Sequence, residues 1–179
     1  IDENNHLDLI KNSSFQGTIV CTDRMLIPCL KNGITPKKFP NFYVITIDPV
    51  QRITKYYNDP IVKKFGKKIH TSLSTCTSPD VVSICKKFGI KIHWFHPLMD
   101  NYKKSTSINK LINMMSKSMK NSKGFPGLQT GGNVGTAAWV FSWAVLGKSP
   151  VALIGINFGY NENTNIIDTP HYNEFIKIS

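Results

Sequence analysis

A three-layer α/β domain on a mainly parallel sheet is the fold this sequence predicts, and three observations carry the prediction. Short β-branched runs alternate with helix-length segments along the chain. Each run ends in a polar or Gly/Pro cluster, the punctuation expected where a strand gives way to a connection. Helical segments stand between successive strands, which demands crossover connections and therefore parallel pairing, with helices covering both faces. The architecture is Rossmann-like.

The elements follow in order. Strands are predicted at residues 17–22, 42–48, 68–74, 91–95 and 150–156, and helices at 24–32, 49–58, 79–88, 107–120 and 134–146. Gly33 and Gly89 each follow a helix as its C-terminal glycine, with an apolar residue next. Ser78 is placed to cap the third helix, and Pro79 takes the first helical position, where its missing N–H costs nothing. The helix at 134–146 is apolar nearly all round, through Ala137, Ala138, Trp139, Val140, Phe141, Trp143, Ala144, Val145 and Leu146, so it is expected in a core or between layers. Residues 121–132 (NSKGFPGLQTGG) form the one long Gly/Pro-rich connection, read as a hinge or part of a site. No internal repeat or low-complexity segment interrupts this plan.

Composition narrows the class. The 179 residues suit one domain, and 41% hydrophobic with 11% aromatic residues can fill its core, which excludes a disordered tail, a collagenous repeat and a small disulfide scaffold. The chain begins at Ile1 and ends at Ser179 within sequence that still looks structured, so it is expected to be a single domain cut at both ends from a longer protein. Twenty-two basic against 11 acidic side chains give +11 and a pI near 9.6, which sets an anionic partner against the favoured reading of most of the charge as a bland, solvated surface. The basic set is Lys throughout except for Arg24 and Arg52, whereas groove readers favour Arg, so nucleic acid is the less favoured partner. Cys21, Cys29, Cys76 and Cys85 form no C-x-x-C pair and no metal spacing with His; they read as reduced core thiols of a cytoplasmic protein. The longest apolar stretch, 137–146, is too short to span a bilayer. An oligomer stays open.

In a parallel sheet ligands bind beyond the carboxyl ends of the strands. Every such position here is polar: Thr22-Asp23-Arg24, Thr46-Ile47-Asp48-Pro49, Ser74 to Ser78, His96-Pro97 and Asn157 to Tyr160. The most specific signal is Gly131-Gly132-Asn133-Val134-Gly135-Thr136, opening the apolar helix. Glycines let the backbone approach a ligand, and free N–H groups at a helix start suit phosphate or carboxylate. The plainer alternative is a glycine turn with Thr130 or Asn133 as N-cap. It is neither a P-loop nor a dinucleotide fingerprint.

Asp23 and Asp48 could hold Mg²⁺ beside phosphates, Asp48 foremost, or orient a ligand. Against that stand an Asp48 that merely caps the helix at Pro49 and an Asp23 paired with Arg24 or a lysine. His96, expected at a strand end, and His171, in the polar tail, are candidates for general acid/base work; His93 reads as a packed or surface residue. No Ser/His/Asp or Cys/His nucleophile arrangement is visible.

The blocks GTIVCTDRMLIPCLKNGITPKKFPNFYVITIDP, STCTSPDVV and TGGNVGTAAWVFSWAVLGKSPVALIGINFGY resemble the archaeal 6-hydroxymethylpterin diphosphokinase-like family, which includes the motility-associated-factor flagellin glycosyltransferases. The resemblance runs from about Gly17 to Tyr160. It implies a Rossmann-like core similar to that of bacterial sialyltransferases, a first strand and Gly-Pro-Ser loop preceding Ile1, and transfer from a phosphate-containing donor. In the diphosphokinase branch the donor is ATP with Mg²⁺ and the acceptor 6-hydroxymethyl-7,8-dihydropterin, and the glycine turn and the strand end near Asp48 carry several carboxylates. Here the turn has none and the strand end only Asp48, which favours the glycosyltransferase branch and a CMP-sugar donor. On that reading Gly131, Gly132, Asn133, Gly135 and Thr136 cradle the donor phosphates. Asp23, Asp48 and Asn157, which stands where that branch has Asp, position donor or metal, and His96 or His171 assists proton transfer. The alternatives are the diphosphokinase and a non-enzymatic basic domain that binds nucleic acid or protein.

Overall fold

A computed structural model describes residues 3–118, 126–156, 163–165 and 167. The elements run α1 (Glu3–Asn12), β1 (Ile19–Thr22), α2 (Asp23–Lys31), β2 (Phe42–Thr46), a 3₁₀ segment (Gln51–Tyr56), α3 (Pro60–Phe65), β3 (His70–Ser74), α4 (Pro79–Phe88), β4 (Lys91–Leu98), α5 (Ile108–Ser118), β5 (Gly127–Gln129) and α6 (Val134–Val140). The five strands are parallel and ordered β1-β2-β3-β4-β5. The predicted Rossmann-like α/β fold is therefore present, with the strands wound in a single direction.

That order decides where the helices go. Right-handed crossovers that all step the same way deposit their helices on one face. There Leu26 and Leu30 of α2, Ile53, Tyr57, Val62 of α3, and Val81 and Phe88 of α4 pack on Phe42, Val44 and Leu73. The other face is covered by α6, whose Ala137, Ala138 and Phe141 meet Ile45, Ile47, Phe95 and Leu128. Helix α6 touches β1 and β2 and also β5 at the opposite edge, because the sheet curls round it.

Local chemistry explains the boundaries. The Ser78 hydroxyl accepts from the Asp80 N–H, Pro79 opens α4, and Gly89 closes it at φ 72°, a conformation only glycine adopts without strain. Asp59 caps α3 by accepting from the Ile61 N–H, ahead of Pro60. α1 and α3 arise where no helix was expected. The helix expected at 49–58 is a 3₁₀ segment, and the one at 134–146 changes from α to π winding over Phe141–Val145.

Two expectations are corrected. Residues 150–156 form no strand, although their β-branched content suggested one. The ladder position beside β4 is taken by Gly127–Gln129, inside the connection read as irregular: the Pro126 carbonyl accepts from the His96 N–H, and Leu128 fills the second core. Nor is α6 buried all round. Its inner side is, whereas Trp139, Trp143 and Val145 are about half or more exposed, since one curled sheet can cover only one side of a helix. Trp139, Trp143, Lys148, Ser149 and Val151 line an open cavity of about 430 Å³ there.

The first core holds a polar seam. The fully buried Tyr57 hydroxyl lies 2.9 Å from Thr46 Oγ1 and 2.8 Å from Thr71 Oγ1, on adjacent strands. Burial pushes the phenol well above its usual range, so it stays a neutral donor. Among the described residues every buried side-chain polar atom has a partner. Tyr57→Phe should cost about 1–2 kcal/mol in urea unfolding, because two threonine hydroxyls lose their shared partner; an unchanged midpoint would show the seam to be dispensable.

Candidate functional site at the carboxyl rim

Because all five strands are parallel, their carboxyl ends share one rim. Asp23 stands at the first of them as the opening residue of α2, only 4% exposed. Its Oδ1 accepts from the Arg24 N–H at 2.7 Å. Burial pushes its carboxyl up to about 6; the Arg24 N–H and the Thr46 hydroxyl pull it partly back, and Asp48 adds to the rise. The expected pairing is thus replaced: Asp23 takes the Arg24 backbone and is joined to the seam through Thr46.

Asp48 is exposed just beyond β2 and is not a helix cap, since the 3₁₀ segment starts at Gln51 with Val50 before it and no side-chain cap. The next strand ends are tied together. The Ser74 hydroxyl donates to the Ile47 carbonyl at 2.8 Å and accepts from the Cys76 N–H at 3.1 Å.

His96 lies elsewhere than expected. β4 runs to Leu98, so His96 is a strand residue paired with Gly127 and not a group past the strand end. Its Nδ1 is 2.8 Å from Thr75 Oγ1 and its Nε2 3.0 Å from Asn109 Oδ1. His93 is exposed, as one of the two readings had it, with its Nε2 3.0 Å from His70 Nδ1.

The glycine turn follows β5 onto the same rim. Gly131 and Gly132 have φ of 64° and 91°, which the reversal into α6 requires. Asn133 is the N-cap, its Oδ1 accepting from the Thr136 N–H at 2.9 Å, and the Thr136 hydroxyl donates to the Thr130 carbonyl at 2.6 Å. The capping reading therefore accounts for Asn133 and Thr136. The N–H groups of Val134 and Gly135 have no hydrogen-bond partner among the described residues. Val134 packs against the second core, so α6 starts over the same side chains that its later residues bury.

Asn157 and His171 lie outside the described residues. Among the described residues no three His, Cys, Asp or Glu side chains group as metal ligands, and no helix is long and apolar enough to cross a membrane. All four cysteines are free, three buried and Cys76 exposed. Sequence reasoning missed Asn109 beside His96 and Tyr57 beneath Asp23, and it had Thr75 only as one of the polar residues past the third strand; the fold brings these groups together. Compared with family models, curated proteins and solved structures, the chain has no match.

Two outcomes follow. Raising the Asp23 carboxyl from 3.8 to about 6 means that the folded state binds the proton more tightly, so this group's contribution to stability falls as pH rises through that window and is level above it. Asp23→Asn should remove the fall and leave the variant more stable than wild type at pH 7, by on the order of 3 kcal/mol; thermal melts from about pH 3 to about pH 8, which bracket that window, would expose an error as parallel curves. Loss of the cap in Asn133→Ala should cost about 1 kcal/mol in the same melts.

Proposed function

We propose that the chain is a nucleotide-binding transferase, a nucleotide-sugar-dependent glycosyltransferase-like domain whose donor lies across the carboxyl rim. The observation that carries the reading is Asp23: a buried carboxyl group with its pKa brought to about 6, on the rim that also bears the glycine turn. A base with that pKa is mostly ionised near neutral pH, yet basic enough to take a proton from an acceptor hydroxyl as it attacks the sugar. The neutral turn supports the donor end, because the N–H groups of Val134 and Gly135 suit phosphate oxygens. Asp48 is exposed past the end of β2 on the same rim and can share Mg²⁺ with those oxygens, a cation that takes few protein ligands when phosphates are present. The resemblance to the diphosphokinase-like family, in its glycosyltransferase branch, agrees with a phosphate-bearing donor.

Calorimetric titration of CMP, a CMP-sugar and ATP, with and without Mg²⁺, tests this directly. The CMP-sugar should bind, and Gly132→Val should abolish binding, since valine cannot hold φ 91°. Turnover should rise with pH through about 6 and drop at least 100-fold in Asp23→Asn with little change in KM. Tight Mg²⁺-ATP binding without any cytidine response would overturn the proposal in favour of the diphosphokinase; binding only to an RNA oligomer, lost steeply with salt, would overturn it in favour of a nucleic-acid partner.

A further inference from the structure

Thr75, His96 and Asn109 are 21 and 13 residues apart in sequence, and the sheet brings them into one line. The backbone fixes the first two. The Thr75 N–H donates to the Phe95 carbonyl at 2.9 Å and the His96 N–H to the Pro126 carbonyl at 2.8 Å, so the turn after β3 runs directly beside β4. Asn109, 5% exposed, is held by Asp100: its Nδ2 donates to the Asp100 carbonyl and its backbone N–H to the Asp100 carboxylate, both at 3.4 Å. These bonds turn Oδ1 toward the imidazole. An amide oxygen only accepts, so Nε2 carries the ring proton. In the neutral ring Nδ1 then offers a lone pair, and the Thr75 hydroxyl donates to it.

The arrangement is a hydroxyl, a base within hydrogen-bond reach, and a third group that fixes the base's tautomer. Holding α5 in place does not account for it. The Asp100 carboxylate already does that, accepting from the Ser107 hydroxyl at 2.8 Å and the Ile108 N–H at 2.6 Å. The Thr75 end is exposed, and its hydroxyl supports no other element among the described residues.

We propose that Thr75 is a nucleophile activated by His96, with Asn109 as the positioning residue, and that this triad transfers acyl groups from activated esters. The activity is separate from the nucleotide reading and needs no nucleotide. Thr75 Oγ1 attacks the acyl carbon, forming the C–O bond while its proton passes to His96 Nδ1 and the carbonyl electron pair moves onto oxygen. Collapse of the tetrahedral adduct breaks the bond to the leaving group, which departs with the proton from Nδ1. Water then attacks the acyl-threonine by the same route and restores the hydroxyl, so ester plus water gives acid plus alcohol. The N–H groups of Thr75, Cys76 and Thr77 are bonded to the Phe95 carbonyl, the Ser74 hydroxyl and the Ser74 carbonyl, and none is left for an oxyanion. The substrate class is accordingly an ester with a good leaving group, such as a phenyl ester or thioester.

The whole chain is incubated with p-nitrophenyl acetate near neutral pH, quenched in acid and mapped by peptide mass. One acetyl group should appear on Thr75, with a burst of p-nitrophenolate that Thr75→Val abolishes and Thr75→Ser retains. His96→Gln should slow the burst about 100-fold. Asn109→Ala should slow it about tenfold, and Asn109→Asp, which still accepts from Nε2 but sets a negative charge beside the ring, should recover most of the rate and move the pH midpoint of the burst upward. Cys76 is the exposed thiol beside the site, so the mapping is repeated in Cys76→Ser, where the Thr75 adduct should persist. Acetyl confined to Cys76 or lysines, or a burst undiminished in Thr75→Val, overturns the proposal.

Discussion

A parallel strand can be reached only by a crossover, and in this chain every crossover steps in the same direction. From that constraint the rest follows. α2, α3 and α4 share one face, which leaves the other for a helix arriving after the last strand. Among the described residues the sheet has no reversal in strand order, hence no crevice at a switch point such as doubly wound folds use. In its place the curl of the sheet lets α6 touch β1, β2 and β5 alike, and the glycine turn that opens it follows β5 onto the rim that carries Asp23 and Asp48.

Legibility in the sequence tracked the range of the interactions. The frame of α4 could be read because Ser78, Pro79 and Gly89 act on their own neighbours. The first four strands were found because each carries a run of apolar or β-branched residues. β5 escaped because three residues with one inward side chain, Leu128, leave no pattern, while 150–156 carry the pattern but find no strand to pair with. The candidate site was legible as a rim and illegible as a set of contacts. Asp23 and the glycine turn were named from position alone. That Asp23 is buried, that Asn133 spends its side chain on capping, and that Thr75 and Asn109 flank His96 all depend on which strand lies beside which, and no local spacing reports that.

The rim thus carries two proton-handling groups of different character. Asp23 sits on the β1–β2 side, almost wholly buried, and its tendency to hold a proton comes from lost hydration. His96 sits on the β3–β4 side, half-buried, with both nitrogens engaged by neutral partners that fix its tautomer. Burial sets the affinity of the first for a proton, and hydrogen bonding sets the direction of the second. On the two proposals made above, the same strand ends that support the sheet supply two different chemistries.

The seam beneath Asp23 has a direction. With the carboxylate ionised, the Thr46 hydroxyl points at it, which turns the Tyr57 hydroxyl toward Thr46 and the Thr71 hydroxyl toward Tyr57. A protonated Asp23 becomes a donor, and the three hydroxyls rotate the other way, the last of them toward the Val44 carbonyl 3.5 Å from Thr71 Oγ1. One proton gained at the rim thus reverses a line of dipoles across two strands.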